Sequence, residues 1–120
     1  MGVAYFDAGS VSEIADNMLY EVNVDDSTTQ ATIVRYKSQL VGDVVLPSTV
    51  TQKSVKYTVT SIGDYAFKDY TYITSVTIPN SVTSIGEGAF LGCNKLTSIN
   101  IPDNVTRIGA EAFRNCSSLA

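Results

Sequence analysis

One phrase recurs through the second half of the chain at a fixed interval. Val59, Val82 and Val105 lie 23 residues apart, and neighbouring positions repeat in the same register. The recurring triplets include Ile62/Ile85/Ile108, Gly63/Gly86/Gly109, Ala66/Ala89/Ala112 and Phe67/Phe90/Phe113. A single unit of this length buries too little apolar surface to be stable alone, so fixed self-similarity indicates coils stacked around one core. The sequence therefore predicts an α/β solenoid in which the three phenylalanines form a column.

Each unit carries signals for a strand followed by a turn. In Leu96–Ile101, Ile99 and Ile101 alternate with Ser98 and Asn100 at the strand period of two. Pro102 ends this strand because it has no backbone N–H. Gly109 is expected to adopt a positive φ in a tight turn. The following AEAFRNC stretch predicts one or two helical or 3₁₀ turns.

The N-terminal third does not follow the repeat and is predicted to cover the end of the solenoid core. Two β-rich runs flank a polar loop that begins at Asp25 and Asp26, which predicts a β-hairpin over residues 18–36. A capping-box spacing at Ser10 favours a short helix over residues 10–17. We therefore predict an N-terminal cap at residues 1–43 and repeats at 44–120. The repeat region divides into an entry unit at 44–58 and repeats at 59–81, 82–104 and 105–120, the last truncated.

Composition excludes several classes of function. The formal net charge is −4 with an isoelectric point near 4.5, which argues against nucleic acid as a partner. No apolar run reaches the length of a membrane span, so membrane insertion is not expected. The first 17 residues have no basic stretch and no continuous apolar run, so no signal peptide is expected in this sequence. The chain has no histidine, which removes the commonest general base and zinc ligand. Neither an enzyme nor a cofactor is predicted.

The repeated phrase resembles the BspA-like class of leucine-rich repeats. It reads V-T-S-I-G-x-x-A-F-x-x-C-x-x-L-T-S-I-x-I-P and is carried by residues 59–79, 82–102 and 105–119. Leu46-Pro47 and Val50 match the entry unit of that family, with a nine-residue insertion that predicts a small hairpin through Thr51 to Ser54. The resemblance implies a right-handed coil of 23-residue units. It also implies a surface-exposed or secreted, adhesin-like protein of Bacteroidetes or some protozoa that binds host or other proteins without catalysis.

Two side-chain pairs admit a chemical interpretation. Cys93 and Cys116 are one repeat apart, so stacking would place them about 5 Å from each other. Reduced core thiols are favoured, with a disulfide and a metal site as alternatives. Asp64 and Glu87 share a register and could form a paired-carboxylate site, although Ala110 ends that series and a solvated face is favoured.

The outward positions of the predicted strands are the candidate binding face. They are Asp43, Val45, Ser75, Thr77, Ser98 and Asn100. Their small polar character suits a broad contact with an extracellular or host protein, or with a glycan. A structural spacer without a ligand, and an accessory domain of a larger surface protein or enzyme, are the alternative functions. The third unit stops before its strand residues, so self-association through an uncapped C-terminal end is also expected.

Overall fold

The strands of the chain are short and are joined by turns. A computed structural model describes residues 2–7, 19–25, 27–36, 41–52 and 54–119. Within these ranges the chain contains ten strands and no helix. The strands are β1 (Gly2–Asp7), β2 (Leu19–Asp25), β3 (Gln30–Tyr36), β4 (Gly42–Val45), β5 (Thr49–Gln52), β6 (Val55–Ile62), β7 (Ile73–Thr77), β8 (Ser84–Ile85), β9 (Ser98–Asn100) and β10 (Arg107–Ile108).

The strands form two sheets. The long sheet has the order β1-β2-β3-β6-β8-β10, with β5 paired to β6, and the short sheet has the order β4-β7-β9. Strands of successive repeats are parallel, and each residue pairs with the residue 23 positions further on. Ser61 pairs with Ser84 in the long sheet, and Ser75 pairs with Ser98 in the short sheet. This register is the stacked-repeat arrangement that the sequence predicts.

One hydrophobic core collects the inward residues of both sheets and of the turns between them. Phe67 and Phe90 have no solvent exposure, and their rings stack 5.1 Å apart with an interplanar angle of 2°. Phe113 stacks on Phe90 at 5.6 Å with the same interplanar angle. The predicted phenylalanine column is confirmed. Its regular geometry follows from the parallel register, which puts equivalent side chains directly above one another.

The predicted helical or 3₁₀ turns are wrong. Residues 64–69, 87–92 and 110–115 form successive hydrogen-bonded turns. Backbone N–H groups at alternate positions donate to carbonyls of the next coil. The N–H of Phe67, for example, donates to the carbonyl of Ala89 at 2.7 Å. The intervening N–H groups bond three residues back, as Lys68 does to Tyr65 at 3.2 Å. An α-helix needs every N–H for its own i−4 carbonyl, and a 3₁₀-helix needs every N–H for its own i−3 carbonyl, so the bonds between coils exclude both here.

Left-handed backbone at two positions of each turn also prevents a helix. Both positions recur every 23 residues. The first set is Tyr65, Gly88 and Glu111, with φ of 57°, 58° and 60°. The second set is Asp69, Gly92 and Asn115, with φ of 61°, 79° and 63°. Because only isolated residues adopt this conformation, a right-handed helix cannot run through it.

The recurring glycine of each unit is required for close packing between coils. Gly109 was expected to have a positive φ, but the positive-φ glycines among the described residues are Gly42, Gly88 and Gly92, so that expectation is wrong. A Cβ on Gly86 would lie 2.7 Å from the carbonyl carbon of Gly63, and one on Gly109 would lie 2.6 Å from that of Gly86. The glycines thus stack on one another, one coil to the next.

Two hairpins lie before the regular repeats. β2 and β3 pair antiparallel within the predicted hairpin at residues 18–36, and β3 then pairs parallel with β6. β5 and β6 pair antiparallel from Gln52–Val55 onward, which confirms the small hairpin predicted through Thr51 to Ser54. β1 pairs with β2 and was not predicted. The predicted helix at 10–17 lies outside the described residues. The boundary between 1–43 and 44–120 and the capping role of the N-terminal part stay predictions.

Candidate functional site

The outer face of the short sheet holds all six residues of the candidate binding face. Parallel pairing aligns them in two rows across three strands. Asp43, Ser75 and Ser98 form the first row, and Val45, Thr77 and Asn100 form the second. Val44, Val76 and Ile99, which separate the rows, point into the core. Strand alternation therefore brings residues from three units onto one surface.

Side-chain hydrogen bonds hold the first row. The Oδ1 atom of Asp43 accepts hydrogen bonds from the hydroxyls of Ser75 at 2.7 Å and Thr74 at 3.1 Å. These bonds tie β4 to β7 and fix the direction of the carboxylate. Ser98 continues the row on β9, where it is exposed. The row thus presents one oriented negative charge followed by small hydroxyls.

In the second row, one side chain is hydrogen-bonded to the backbone of the neighbouring coil. Asn100 accepts a hydrogen bond from the backbone N–H of Ile78 at 2.7 Å and donates one to its carbonyl at 3.1 Å. Both polar atoms of the Asn100 side chain are therefore hydrogen-bonded to the backbone of Ile78. Thr77 is exposed, and Val45 has an exposed fraction of 40%. The row offers an aliphatic and a hydroxyl side chain to a partner.

Two large apolar residues beside the rows were not singled out from the sequence. Val41 and Tyr72 have exposed fractions of 68% and 58%. They lie at the start of β4 and β7, where the N–H of Gly42 donates to the carbonyl of Tyr72 at 2.9 Å. A register comparison could have found Tyr72, because the next units have Lys95 and Ser118 at that position. Exposed tyrosines are common anchors in protein interfaces.

A cavity adjoins the candidate face on the β9 side. It has a volume of about 390 Å³ and is lined by Thr97, Ser98, Ile99, Ile101, Phe113 and Leu119. Ile101 belongs to the predicted inward set, yet 41% of it is exposed here, whereas Ile78 in the preceding unit is buried. Self-association at this end of the coils stays a prediction.

The two cysteines are free thiols that bond to neighbouring coils. Cys93 Sγ donates to the carbonyl of Phe67, and Cys116 Sγ donates to that of Phe90, each at 3.1 Å. Burial raises the pKa of the Cys93 thiol to about 12, and burial also raises the pKa of Cys116. Both thiols are therefore protonated at neutral pH and are poor nucleophiles.

Asp64 contacts the backbone of Glu87, and the paired-carboxylate alternative stays a prediction. Asp64 Oδ1 accepts a hydrogen bond from the backbone N–H of Glu87 at 2.8 Å, which makes it a link between coils. The charge of Glu87 raises the pKa of the exposed Tyr65 hydroxyl. In the part of the chain that the structure describes, no group of three or more potential ligands could hold a metal ion. Nor does a helix long and apolar enough to cross a membrane occur there.

Comparison with known proteins assigns the fold to a family. A model of the BspA-type leucine-rich repeat region matches residues 47–120 in six copies, well over half of the chain. The chain belongs to the BspA-type leucine-rich repeat family. No curated protein matches this leucine-rich repeat chain at a significant level.

Solved structures of bacterial leucine-rich repeat proteins resemble the chain over most of its length. A leucine-rich cell surface protein from Faecalibacterium prausnitzii is 34% identical, with a TM-score of 0.76, over 98% of this chain and 29% of that chain. The T. pallidum leucine-rich repeat protein is 33% identical, with a TM-score of 0.75, over 84% and 45%. A Bacteroides ovatus leucine-rich repeat protein is 37% identical, with a TM-score of 0.76, over 83% and 26%. This chain thus spans less than half the length of each of these three relatives.

Proposed function

We propose that this leucine-rich repeat chain is a non-catalytic protein-binding module of a surface-exposed or secreted bacterial protein. The partner docks on the outer face of the short sheet. One observation carries the proposal: two rows of outward side chains run in register across β4, β7 and β9, beside the exposed Val41 and Tyr72. Surface location is supported by the Faecalibacterium prausnitzii relative, a leucine-rich cell surface protein.

The chemistry of this face favours an extracellular or host protein over a glycan. Val41, Val45 and Tyr72 supply exposed apolar area along β4 and at the start of β7. Burying apolar and aromatic surface of this kind is the main source of affinity between proteins. Asp43, held by Ser75 and Thr74, adds one fixed anion that favours a cationic group on the partner.

The test is a binding assay against a panel of purified extracellular matrix proteins. Thr77→Lys and Ser98→Lys add bulk and charge to the face without touching the core, because both positions are exposed. Asn94→Lys, at an exposed turn position, is the matched control. We expect Tyr72→Ala and both face variants to weaken a positive interaction by about tenfold or more, with the control unchanged.

Two results would reject the proposal. Binding that survives Tyr72→Ala, Thr77→Lys and Ser98→Lys would place the contact on another surface. Absence of binding to the whole panel would favour a structural spacer, or an accessory domain of a larger surface protein or enzyme. Circular dichroism of every variant separates loss of binding from loss of fold.

A further inference from the structure

A second cavity lies on the outer face of the long sheet, away from the face discussed above. Its volume is about 330 Å³, and it spans the β2–β3 hairpin, β6 and β8. Asp25 and Gln30 lie on the hairpin side, whereas Thr60, Thr83 and Ser84 lie on the repeat side. The chain contributes these residues from three separate segments, which the parallel sheet brings together.

Hydroxyl groups dominate the floor of this cavity. Each repeat has two adjacent outward residues between inward ones, and in the first two repeats these are Thr60-Ser61 and Thr83-Ser84. Ser61 and Ser84 pair in register, and the Ser61 hydroxyl is hydrogen-bonded to that of Thr32. Hydroxyls both donate and accept hydrogen bonds, so the floor can satisfy either kind of group on a ligand.

One hydroxyl of the floor is already directed by the backbone. The Thr83 hydroxyl donates to the carbonyl of Thr60 at 3.2 Å. Its oxygen lone pairs therefore remain available to accept a hydrogen bond from a ligand. Gln30 adds an exposed side-chain amide at the hairpin edge, which supplies donors and an acceptor. The donors and acceptors are thus spread over the cavity instead of being concentrated at one point.

A fixed carboxylate stands at the hairpin side. Asp25 Oδ1 accepts hydrogen bonds from the backbone N–H of Ser27 at 3.0 Å and from its hydroxyl at 2.7 Å. These bonds lower the pKa of Asp25, so the group is ionised at neutral pH. Both bonds fall on Oδ1, so Oδ2 keeps the lone pairs to which a hydroxyl of a sugar ring can donate.

We infer that this cavity of the long sheet binds a neutral saccharide of one or two sugar units. Its volume is at the small end of ligand pockets, which span about 300–1,000 Å³. The carboxylate disfavours an anionic ligand. A cationic peptide side chain would use the single charge but leave the mixed donors of the hydroxyl floor without acceptors. A polyhydroxy ligand can donate to the carboxylate and can also exchange hydrogen bonds with the hydroxyl floor. The inference does not rest on protein binding at the short sheet.

The test is an NMR titration of the isotopically labelled chain with neutral sugars. The panel comprises glucose, galactose, N-acetylglucosamine, lactose, maltose and cellobiose. We expect at least one of them to shift the backbone amide signals of Ser27, Thr32, Ser61 and Ser84, with a dissociation constant on the order of millimolar.

Two variants remove ligand contacts and keep the local structure. Asp25→Asn retains an oxygen that accepts from Ser27 while it removes the charge. Thr60→Val retains the branched shape suited to a strand while it removes the hydroxyl. Each should weaken saccharide binding by about fivefold or more, because a hydrogen bond to the ligand is lost. Thr77→Lys on the short sheet should leave it unchanged. Unshifted amide signals outside the cavity establish that the variants fold.

Three outcomes would overturn the inference. The first is that no sugar of the panel shifts those amides at about 50 mM. The second is that a tetralysine peptide shifts them at low salt and the sugars do not, which would assign the cavity to basic peptides. The third is that a sugar binds but Thr77→Lys weakens it as much as Asp25→Asn does, which would place it on the short sheet.

Discussion

The side chain of Asn100 serves as a backbone partner for Ile78. Its Oδ1 accepts from the Ile78 N–H at 2.7 Å, and its Nδ2 donates to the Ile78 carbonyl at 3.1 Å. One strand earlier, the backbone N–H of Leu46 instead donates to the backbone carbonyl of Thr77 at 3.0 Å. An asparagine amide thus extends the ladder past the end of β9, just before Pro102. Asn100 is a structural residue as well as a member of the candidate face.

Replacing Asn100 by alanine should destabilise the fold. Ile78 is 1% exposed, so its N–H and carbonyl would lose their partners in a buried place, at a cost of about 1–3 kcal/mol. Thr77→Ala, at the neighbouring exposed position, should cost about 0.5 kcal/mol or less. Urea unfolding midpoints measure both. Equal midpoints for the two variants would mean that solvent replaces the asparagine without penalty.

The phenylalanine column should show a gradient of stability along the coils. Phe90 stacks on both Phe67 and Phe113, and it is fully buried. Phe90→Ala should cost about 3–5 kcal/mol, because it opens a cavity at the centre of the column. Phe113 is half-buried, so Phe113→Ala should cost less. Denaturant unfolding of both variants tests the order. A larger loss at Phe113 than at Phe90 would contradict the packing described.

The stacked glycines should tolerate no side chain. A Cβ on Gly86 would meet the backbone nitrogen of Asp64 at 2.6 Å, and this contact can be relieved only by separating two coils. Gly86→Ala should therefore cost about 3 kcal/mol or more, at the upper end of overpacking costs. Gly42→Ala is the control: its φ is 75°, but a Cβ there has no neighbour within 4 Å. That variant should show only backbone strain of about 1–2 kcal/mol. Thermal unfolding of the two proteins measures the difference, and a more stable Gly86→Ala than Gly42→Ala would refute the close approach.

Cys93 should make stability fall at alkaline pH. The pKa of Cys93 in the folded chain is about 12, against 9.0 for an ordinary thiol, so above pH 9 the unfolded chain loses this proton before the folded chain does. The unfolded state then binds fewer protons, and the free energy of unfolding falls as pH rises towards about 12, by at most about 1.4 kcal/mol per pH unit.

Comparison with Cys93→Ala isolates this effect, because the variant lacks the titrating thiol but keeps the other ionisable groups. The difference in unfolding free energy between the native chain and Cys93→Ala should shrink from pH 9 to pH 11. Urea unfolding at each pH provides the measurement. A difference that stays constant over this range would show that Cys93 ionises in the folded protein as readily as in the unfolded one.

Much of the fold was predictable from side-chain spacing. The 23-residue repeat predicts which residues share a column, and the structure stacks Phe67, Phe90 and Phe113 accordingly. Alternation along the strands predicts the outward rows that contain Ser75 and Ser98. These features follow from local periodicity, since a strand puts successive side chains on opposite faces whatever its neighbours are.

The conformation of the turns could not be predicted from side-chain spacing. Ala112 and Phe113 have the spacing of a helical face, but spacing does not reveal where the backbone N–H groups donate. In the folded chain these N–H groups donate alternately to their own coil and to the next coil. The N–H of Phe90, for example, donates to the carbonyl of Ala112 at 2.8 Å. Spacing also does not reveal why Gly109 is a glycine. Its lack of a side chain is required by the backbone of the neighbouring coil, and not by a positive φ.

By itself, the sequence determined the repeat, its register, most of the buried positions and the family. Only the tertiary structure decided that the turns are not helical, that Asn100 completes a ladder, and that Asp25 shares a cavity with Thr60 and Ser84. The physical reason is that periodicity records the direction of each side chain relative to its own coil. Hydrogen bonds and cavities between coils depend on how segments far apart in the chain are placed against each other.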